Sequence, residues 1–171
     1  MSYKLIIDTR EQKPLSFRKN VEVRGLKAGD YAAELNDVLL PVVFERKDPS
    51  DWLGTLMQGH DRFIRELGKA EELEQKLIVI VECSYTDFVT KKFKGARHSR
   101  IRQDVLTKIL HSTMISHNLQ VVFCNNRSEM TKYIRNYFNA LSKHELKHNK
   151  EKYEKGGEWY DSRNTEKRWK W

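Results

Sequence analysis

The stretch Val42–Asp51, "VVFERKDPSD", decides how the chain is read. Val42, Val43 and Phe44 form an apolar run that passes directly into Glu45, Arg46, Lys47 and Asp48. A continuous apolar run suits a strand buried on both faces, yet this one ends in adjacent charges. The pleat of a strand sorts them, because residues two apart share a face and neighbours point opposite ways. Glu45 and Lys47 therefore go to one face and Arg46 to the other. "DPSD" then opens a helix. Asp48 can cap it, Pro49 suits the first helical position, and Asp51 lies three residues after the cap.

Upstream, residues 30–35 and 38–46 predict two strands with Leu35-Asn36-Asp37 as the turn between them. That hairpin brings Asp30 beside Glu45, and Gly29 lets the backbone turn sharply just before it. Residues 3–9 predict a buried strand with Asp8 near its end. Downstream, a helix runs from Pro49 to the Gly59 region and resumes through "DRFIRELGKAEEL", where Arg62 and Glu66 are spaced to pair on one face. Residues 76–82 predict an apolar strand, 101–117 a helix with Ile101, Val105, Ile109 and Met114 inward, and 119–124 a further strand. Residues 128–147 predict a last helix with Met130, Ile134, Tyr137, Phe138 and Leu141 inward. The sequence thus points to an α/β fold, a central mixed sheet flanked by helices. Residues 1–142 form the expected domain. Residues 143–171 read as a charged, aromatic-containing tail that is disordered before any partner binds.

With 171 residues the chain suits one domain. No apolar stretch reaches the roughly 18 residues that span a membrane, and the N-terminus lacks a signal-peptide pattern. The expectation is an intracellular protein of cytoplasm, nucleoid or nucleus, neither secreted nor membrane-bound. Cys83 and Cys124 are too sparse for a disulfide framework and read as buried reduced thiols. The net charge of +8 is unevenly placed. Residues 1–90 are mildly acidic, whereas 91–102, "KKFKGARHSRIR", hold six basic residues and no acidic one. A basic strip beside an acidic half fits a metal site that approaches a polyanion.

Asp30 and Glu45, with Asp8 able to join them, would place two or three carboxylates and the Lys47 ammonium at one sheet end. Such carboxylates repel one another unless a cation intervenes. Mg²⁺ or Mn²⁺ is the fitting occupant, since a hard ion takes one or two carboxylates together with substrate phosphate. A bound metal supplies an activated water and offsets charge on phosphate, and Lys47 can orient the water or stabilise the transition state. The chemistry is phosphodiester hydrolysis. An isolated Glu-x-Lys is a short and common pattern, more often an exposed strand end than a site. The upstream Gly29-Asp30 and the preceding apolar run give it weight.

"GDY" at Gly29–Tyr31 followed by "ERKDPSD" at Glu45–Asp51 resembles the GD…ERKxxxD signature of the XPF family of structure-selective endonucleases. That family is a branch of the PD-(D/E)XK restriction-endonuclease-like fold. "LIIDTREQ" resembles its first-strand motif, and "LGTLMQGHDRFIREL" then "LIVIVE" the stretch that follows. The resemblance implies a restriction-endonuclease-like fold and a metal-dependent DNA endonuclease acting on branched or single-strand-containing DNA in repair, recombination or replication. It implies Asp30, Glu45 and Asp8 as metal ligands, the Arg46 carbonyl as a further donor, and Lys47 as the catalytic lysine. Arg46 and Asp51 belong to the motif, Arg46 as a brace facing away from the metal and Asp51 as either catalytic support or helix cap. Arg10 and Glu11 would touch DNA or orient Asp8. Arg62 and the strip residues Lys91, Lys92, Lys94, Arg97, Arg100 and Arg102 are candidate DNA contacts, the strip being read as a mobile loop. Family members commonly carry a helix-hairpin-helix module, and residues 143–171 lack its paired hairpins. DNA contact would then come from the strip, the tail tryptophans Trp159, Trp169 and Trp171, a second copy, or a partner protein supplying that module.

Two readings compete. A DNA-binding or assembly subunit whose nuclease fold no longer cuts is one, but the complete motif set argues against it, since a retired site tends to lose its carboxylates or lysine. "HELKH" at 144–148 matches the zinc-protease pattern, with His144 and His148 as ligands, Glu145 as base and Glu166 as a distant ligand. Its flanks, "NKEKYEK", are too polar for a buried zinc helix.

Overall fold

The computed structural model describes residues 3–96 and 99–154, with side chains described up to residue 148. Six strands and five helices follow in the order β1 (Lys4–Ile7), β2 (Val21–Val23), β3 (Tyr31–Leu35), β4 (Val38–Lys47), α1 (Pro49–Met57), α2 (His60–Glu72), β5 (Lys76–Val81), α3 (Tyr85–Val89), α4 (Gln103–Ser116), β6 (Gln120–Phe123) and α5 (Arg127–Glu154). The strands form one sheet in the order β2-β1-β3-β4-β5-β6. Strand β3 is antiparallel to both β1 and β4, while β1–β2, β4–β5 and β5–β6 are parallel. The expected mixed sheet is therefore present. No helix among the described residues is long and apolar enough to cross a membrane.

The β3–β4 hairpin turns where "LND" predicts. Asn36 and Asp37 have φ of 51° and 61°, the left-handed pair that matches strand twist in a two-residue loop. Farther along, pairing moves from Glu34↔Leu39 to Ala32↔Val43. This places extra β4 residues around Pro41, which has no N–H to give to a ladder. The hairpin then closes with Tyr31 opposite Phe44, so Asp30 and Glu45 lie together at the far end.

Alternation along β4 divides the core. Val43 packs on one face with Trp52, Phe63, Phe88, Leu106 and Leu110 from α1–α4. Phe44 packs on the other with Met130, Ile134 and Phe138 of α5. Tyr137 and Phe138 meet the Phe44 ring edge-on, with centroids 5.3 and 5.4 Å away, a favoured aromatic arrangement. The inward face of α5 is the one its spacing predicts.

Helix α4 is rotated from its expected orientation. Leu106, Leu110 and Thr113 are buried, Val105 is exposed, and Ile109 and Met114 are only partly covered. Both i, i+4 pairs, Val105/Ile109 and Leu106/Leu110, are apolar, so periodicity cannot choose between adjacent stripes. Strand β2 and helix α3 have no counterpart in the sequence reading. Each is short, and Val21 and Val23 of β2 stay exposed. The tail beyond residue 154 and its tryptophans lie outside the described residues.

Cys83 and Cys124 are free and buried. Burial pushes their thiols up to about 12 and about 11, so both are inert at neutral pH. Phe44 is completely buried, and replacing it with alanine is expected to cost about 3–5 kcal/mol of stability by urea denaturation.

Candidate active site

Glu45 and Lys47 project on the same face as Val43, and Arg46 on the opposite face. Lys47 Nζ lies 2.7 Å from Glu45 Oε1. Asp30 is bound on both sides through its backbone. Its N–H donates to Phe44 O at 2.8 Å and its carbonyl accepts from Asp8 N at 2.8 Å. Its side-chain Oδ2 accepts the Arg46 N–H at 2.8 Å. Gly29 makes this approach possible, having φ of +68° and space for no side chain. A Cβ there would stand 2.9 Å from Val43 Cβ and 3.1 Å from Phe44 O.

Burial and the charge of Glu45 push the Asp30 carboxyl up to about 7 from its ordinary 3.8. The site is short of positive charge, although Lys47 is present. Burial opposes the charge of Lys47, but neighbouring Glu45, and Glu66 across from α2, hold its pKa above the ordinary value. Among the described residues, no donor reaches Asp30 Oδ1 or Glu45 Oε2. Two open carboxylate oxygens in an electronegative site suit a hard divalent cation such as Mg²⁺ or Mn²⁺.

Asp8 does not complete a three-carboxylate set. Its Oδ1 accepts from Arg10 N and Nε, both at 2.7 Å, and its Oδ2 from Arg10 Nη2 at 3.2 Å and Leu26 N at 2.5 Å. Burial works against its charge, but these N–H groups hold the carboxyl below its ordinary value. Both oxygens are already used, and among the described residues no three His, Cys, Asp or Glu side chains gather into a cation site. Asp8 instead fixes Arg10, whose guanidinium feels the charges of Asp30 and Glu45.

Arg46 is the brace that its orientation predicts. Its Nε and Nη2 donate to the two oxygens of Glu11 at 3.0 and 3.1 Å, and Nη1 reaches Glu82 Oε2 at 3.5 Å. Burial disfavours both charges, yet the bidentate pair keeps Glu11 ionised below its ordinary range and Arg46 protonated. Arg127, the first residue of α5, also pairs with Glu82 at 3.4 Å and donates to Lys13 O and Pro14 O at 2.7 and 2.8 Å. Neither Glu82 nor Arg127 stands out in sequence. Only the predicted strand end at 82 and helix start at 128 hinted that they meet.

The remaining candidates divide. Asp48, not Asp51, caps α1, accepting from Ser50 N at 2.8 Å. The exposed Asp51 carboxylate has no partner among the described residues. Arg62 pairs with Glu66 at 3.4 Å on the surface, and Arg102 pairs with Asp104 at 3.0 Å. Lys91 turns inward, its Nζ donating to Ser99 O at 3.3 Å and Ile101 O at 2.6 Å. Lys92, Lys94 and Arg100 are exposed, and Arg97 lies outside the described residues. His144 and His148 stack on the exposed side of α5, 6.4 Å between centroids. Glu145 turns inward and is buried, so base and ligands share no cleft. Glu166 lies outside the described residues.

A family model described as the ERCC4 domain matches residues 7–137, a span that contains the hairpin, the brace and the Lys47 site. The chain belongs to the ERCC4-domain family. Proteins of this family are typically nucleases and generally metal-dependent. Among solved structures the chain is similar to XPF from Aeropyrum pernix, at 19% identity and a TM-score of 0.58, covering 81% of this chain and 66% of that one. A structure of XPF from Aeropyrum pernix in complex with DNA gives 19% identity and 0.56, covering 95% and 70%. At that identity the likeness establishes the restriction-endonuclease-like fold. The chain spans about two thirds of the length of the first of these structures. No curated protein matches it.

The electrostatics set the sign of two predictions. The folded pKa of Asp30 lies above its unfolded value, so its contribution is fully present below about pH 4 and is lost as pH rises through about 7. Asp30→Asn is therefore expected to raise the Tm of the metal-free protein by several degrees at pH 8 and to leave it nearly unchanged near pH 4, by scanning calorimetry. Glu11→Ala should do the opposite. It leaves the Arg46 guanidinium without its main partner and is expected to cost about 3–5 kcal/mol in urea denaturation at neutral pH.

Proposed function

We propose that this chain is a divalent-cation-dependent DNA endonuclease that hydrolyses phosphodiester bonds at Asp30, Glu45 and Lys47, on branched or single-strand-containing DNA. The observation that carries the reading is the pairing of a lysine at 2.7 Å with Glu45 beside a carboxyl raised to about 7. A carboxyl raised in this way costs stability at neutral pH, and perturbed groups of this kind concentrate at functional sites.

Asp30 and Glu45 would hold Mg²⁺ or Mn²⁺ through their open oxygens, with the Arg46 carbonyl as a further donor. When bound, the ion supplies water activation and offsets negative charge on the phosphate. Lys47 stays protonated at neutral pH and donates to the phosphate oxygen or the incoming water. Glu45 keeps that ammonium in position. Arg10, held by Asp8 and within the field of Asp30 and Glu45, would meet a substrate phosphate. Arg46 touches no substrate in this scheme. It holds the β4 end against Glu11 and Glu82, and its N–H orients Asp30. Asp51, free of capping duty, remains available at the edge of the site. Lys92, Lys94, Arg100, Arg62 and Arg102 are surface cations for the DNA backbone, supplemented by a second copy or a partner protein.

The test uses labelled flap, fork, nicked, single-stranded and duplex DNA with Mg²⁺, Mn²⁺ or EDTA. Cleavage is expected with either cation and not with EDTA. Lys47→Ala and Asp30→Ala are each expected to lower the single-turnover rate by at least about 100-fold. Full activity in both variants, or cutting in EDTA, would overturn the assignment. Binding without any cutting would instead favour the silent-subunit reading.

A further inference from the structure

The segment after α3 is built as a fixed platform. Lys91 adopts φ of 58°, and its ammonium crosses the loop to hold Ser99 O and Ile101 O. Phe93 stacks on buried Phe88, with centroids 5.6 Å apart and planes 7° from parallel. Ala96 is 2% exposed. Ser50 Oγ, in the first turn of α1, donates to Lys94 O at 2.6 Å. Gly95 has φ of +92°, and a Cβ there would stand 2.2 Å from Ser50 Oγ. The absence of a side chain at Gly95 is thus what lets the loop seat on α1.

Lys92 and Lys94 remain exposed on this platform, and among the described residues neither ammonium has an acidic partner. Ser50 is three residues from Lys47 along the chain. Two unpaired cations are therefore fastened to the element that follows the catalytic motif.

We propose that residues 91–96 are a phosphate-backbone grip locked to α1 by the Ser50–Lys94 contact and by Gly95, so that its position determines which phosphodiester enters the site. The proposal rests on the nuclease reading and adds a cause for where the cut falls. The ligand is the sugar–phosphate backbone of DNA, chosen because lysines without partners recognise charge and not sequence. Locking matters because a grip on a free loop would add affinity without fixing a distance.

Two measurements separate the grip from the chemistry. DNA binding is followed by fluorescence anisotropy in EDTA across a salt series, so that cleavage is not needed. Lys92→Gln/Lys94→Gln is expected to weaken binding roughly ten-fold near 0.15 M salt and to flatten the slope of log K against log salt by about 0.7–0.9 per lost contact. Unchanged affinity and slope would overturn the grip, whatever the cleavage result. Cut positions are then mapped at nucleotide resolution for Ser50→Ala and Gly95→Ala, with the Tm of each variant measured. The expected outcome is cuts that shift or spread over neighbouring bonds, while affinity changes less than three-fold. Unchanged cut positions in both folded variants would overturn the lock. If the unaltered chain cuts nothing, the nuclease reading and the lock both fail, and the anisotropy arm alone decides the grip.

Discussion

Arg46 is clamped by Glu11 on one side and Glu82 on the other, and the charged end of the sheet hangs on that clamp. Its guanidinium lies on the α5 face of β4, while its backbone N–H on the same residue holds Asp30 on the sheet edge. One residue thus ties together the ends of β1, β3, β4 and β5. Glu82 passes the connection to Arg127 at the start of α5, and Arg127 grips the chain just beyond Glu11. The brace is a row of alternating charge that Arg127 closes on two backbone carbonyls. Such buried pairs lend little net stability over apolar packing, but losing one member is costly. Their service here is positional.

Against that frame of satisfied charge stands a pair of groups that the fold leaves in tension. Asp30 and Glu45 crowd each other on the opposite face, and Lys47 bonds Glu45 directly while easing Asp30 only through its charge. Asp8, two strands away from β4, is the contrast. Its carboxyl accepts four N–H contacts and is content. Acidic residues at one sheet edge therefore have different fates, decided by how many N–H groups reach each carboxylate.

Much of this was readable from the chain. The two-residue alternation of "ERK" assigns three side chains to two faces without knowledge of the helices, because β4 is long and its pleat is fixed. Asn36-Asp37 marks the turn, and Gly29 marks the tight approach, since both depend on local backbone rules. What escaped depends on distance. The capture of Asp8 by Arg10 and the Leu26 N–H needs the connection after β2, a strand whose Val-Glu-Val alternation is only three residues long and too short to mark it. Glu82 and Arg127 meet through tertiary packing alone. Lys91 looked like one more cation of a basic strip, and only the folded loop shows it spent on Ser99 and Ile101. Asp51 and Asp48 both fit a cap in sequence; φ and ψ at the helix start decide for Asp48.

The crowding around Gly29 separates the letters of the motif by what they testify to. Any side chain at Gly29 would collide with Val43 and the Phe44 carbonyl, so a chain keeping this sheet must keep that glycine even if it never cuts a bond. The same holds for Arg46, whose removal strands Glu11 in the interior. Asp30 stands on different ground. The fold would be easier to hold without its negative charge, and drift in a chain relieved of chemistry would be expected to remove it. Among related chains, then, a glycine and an arginine in these positions attest only to inherited architecture. The aspartate is the one letter that the fold alone gives no reason to keep.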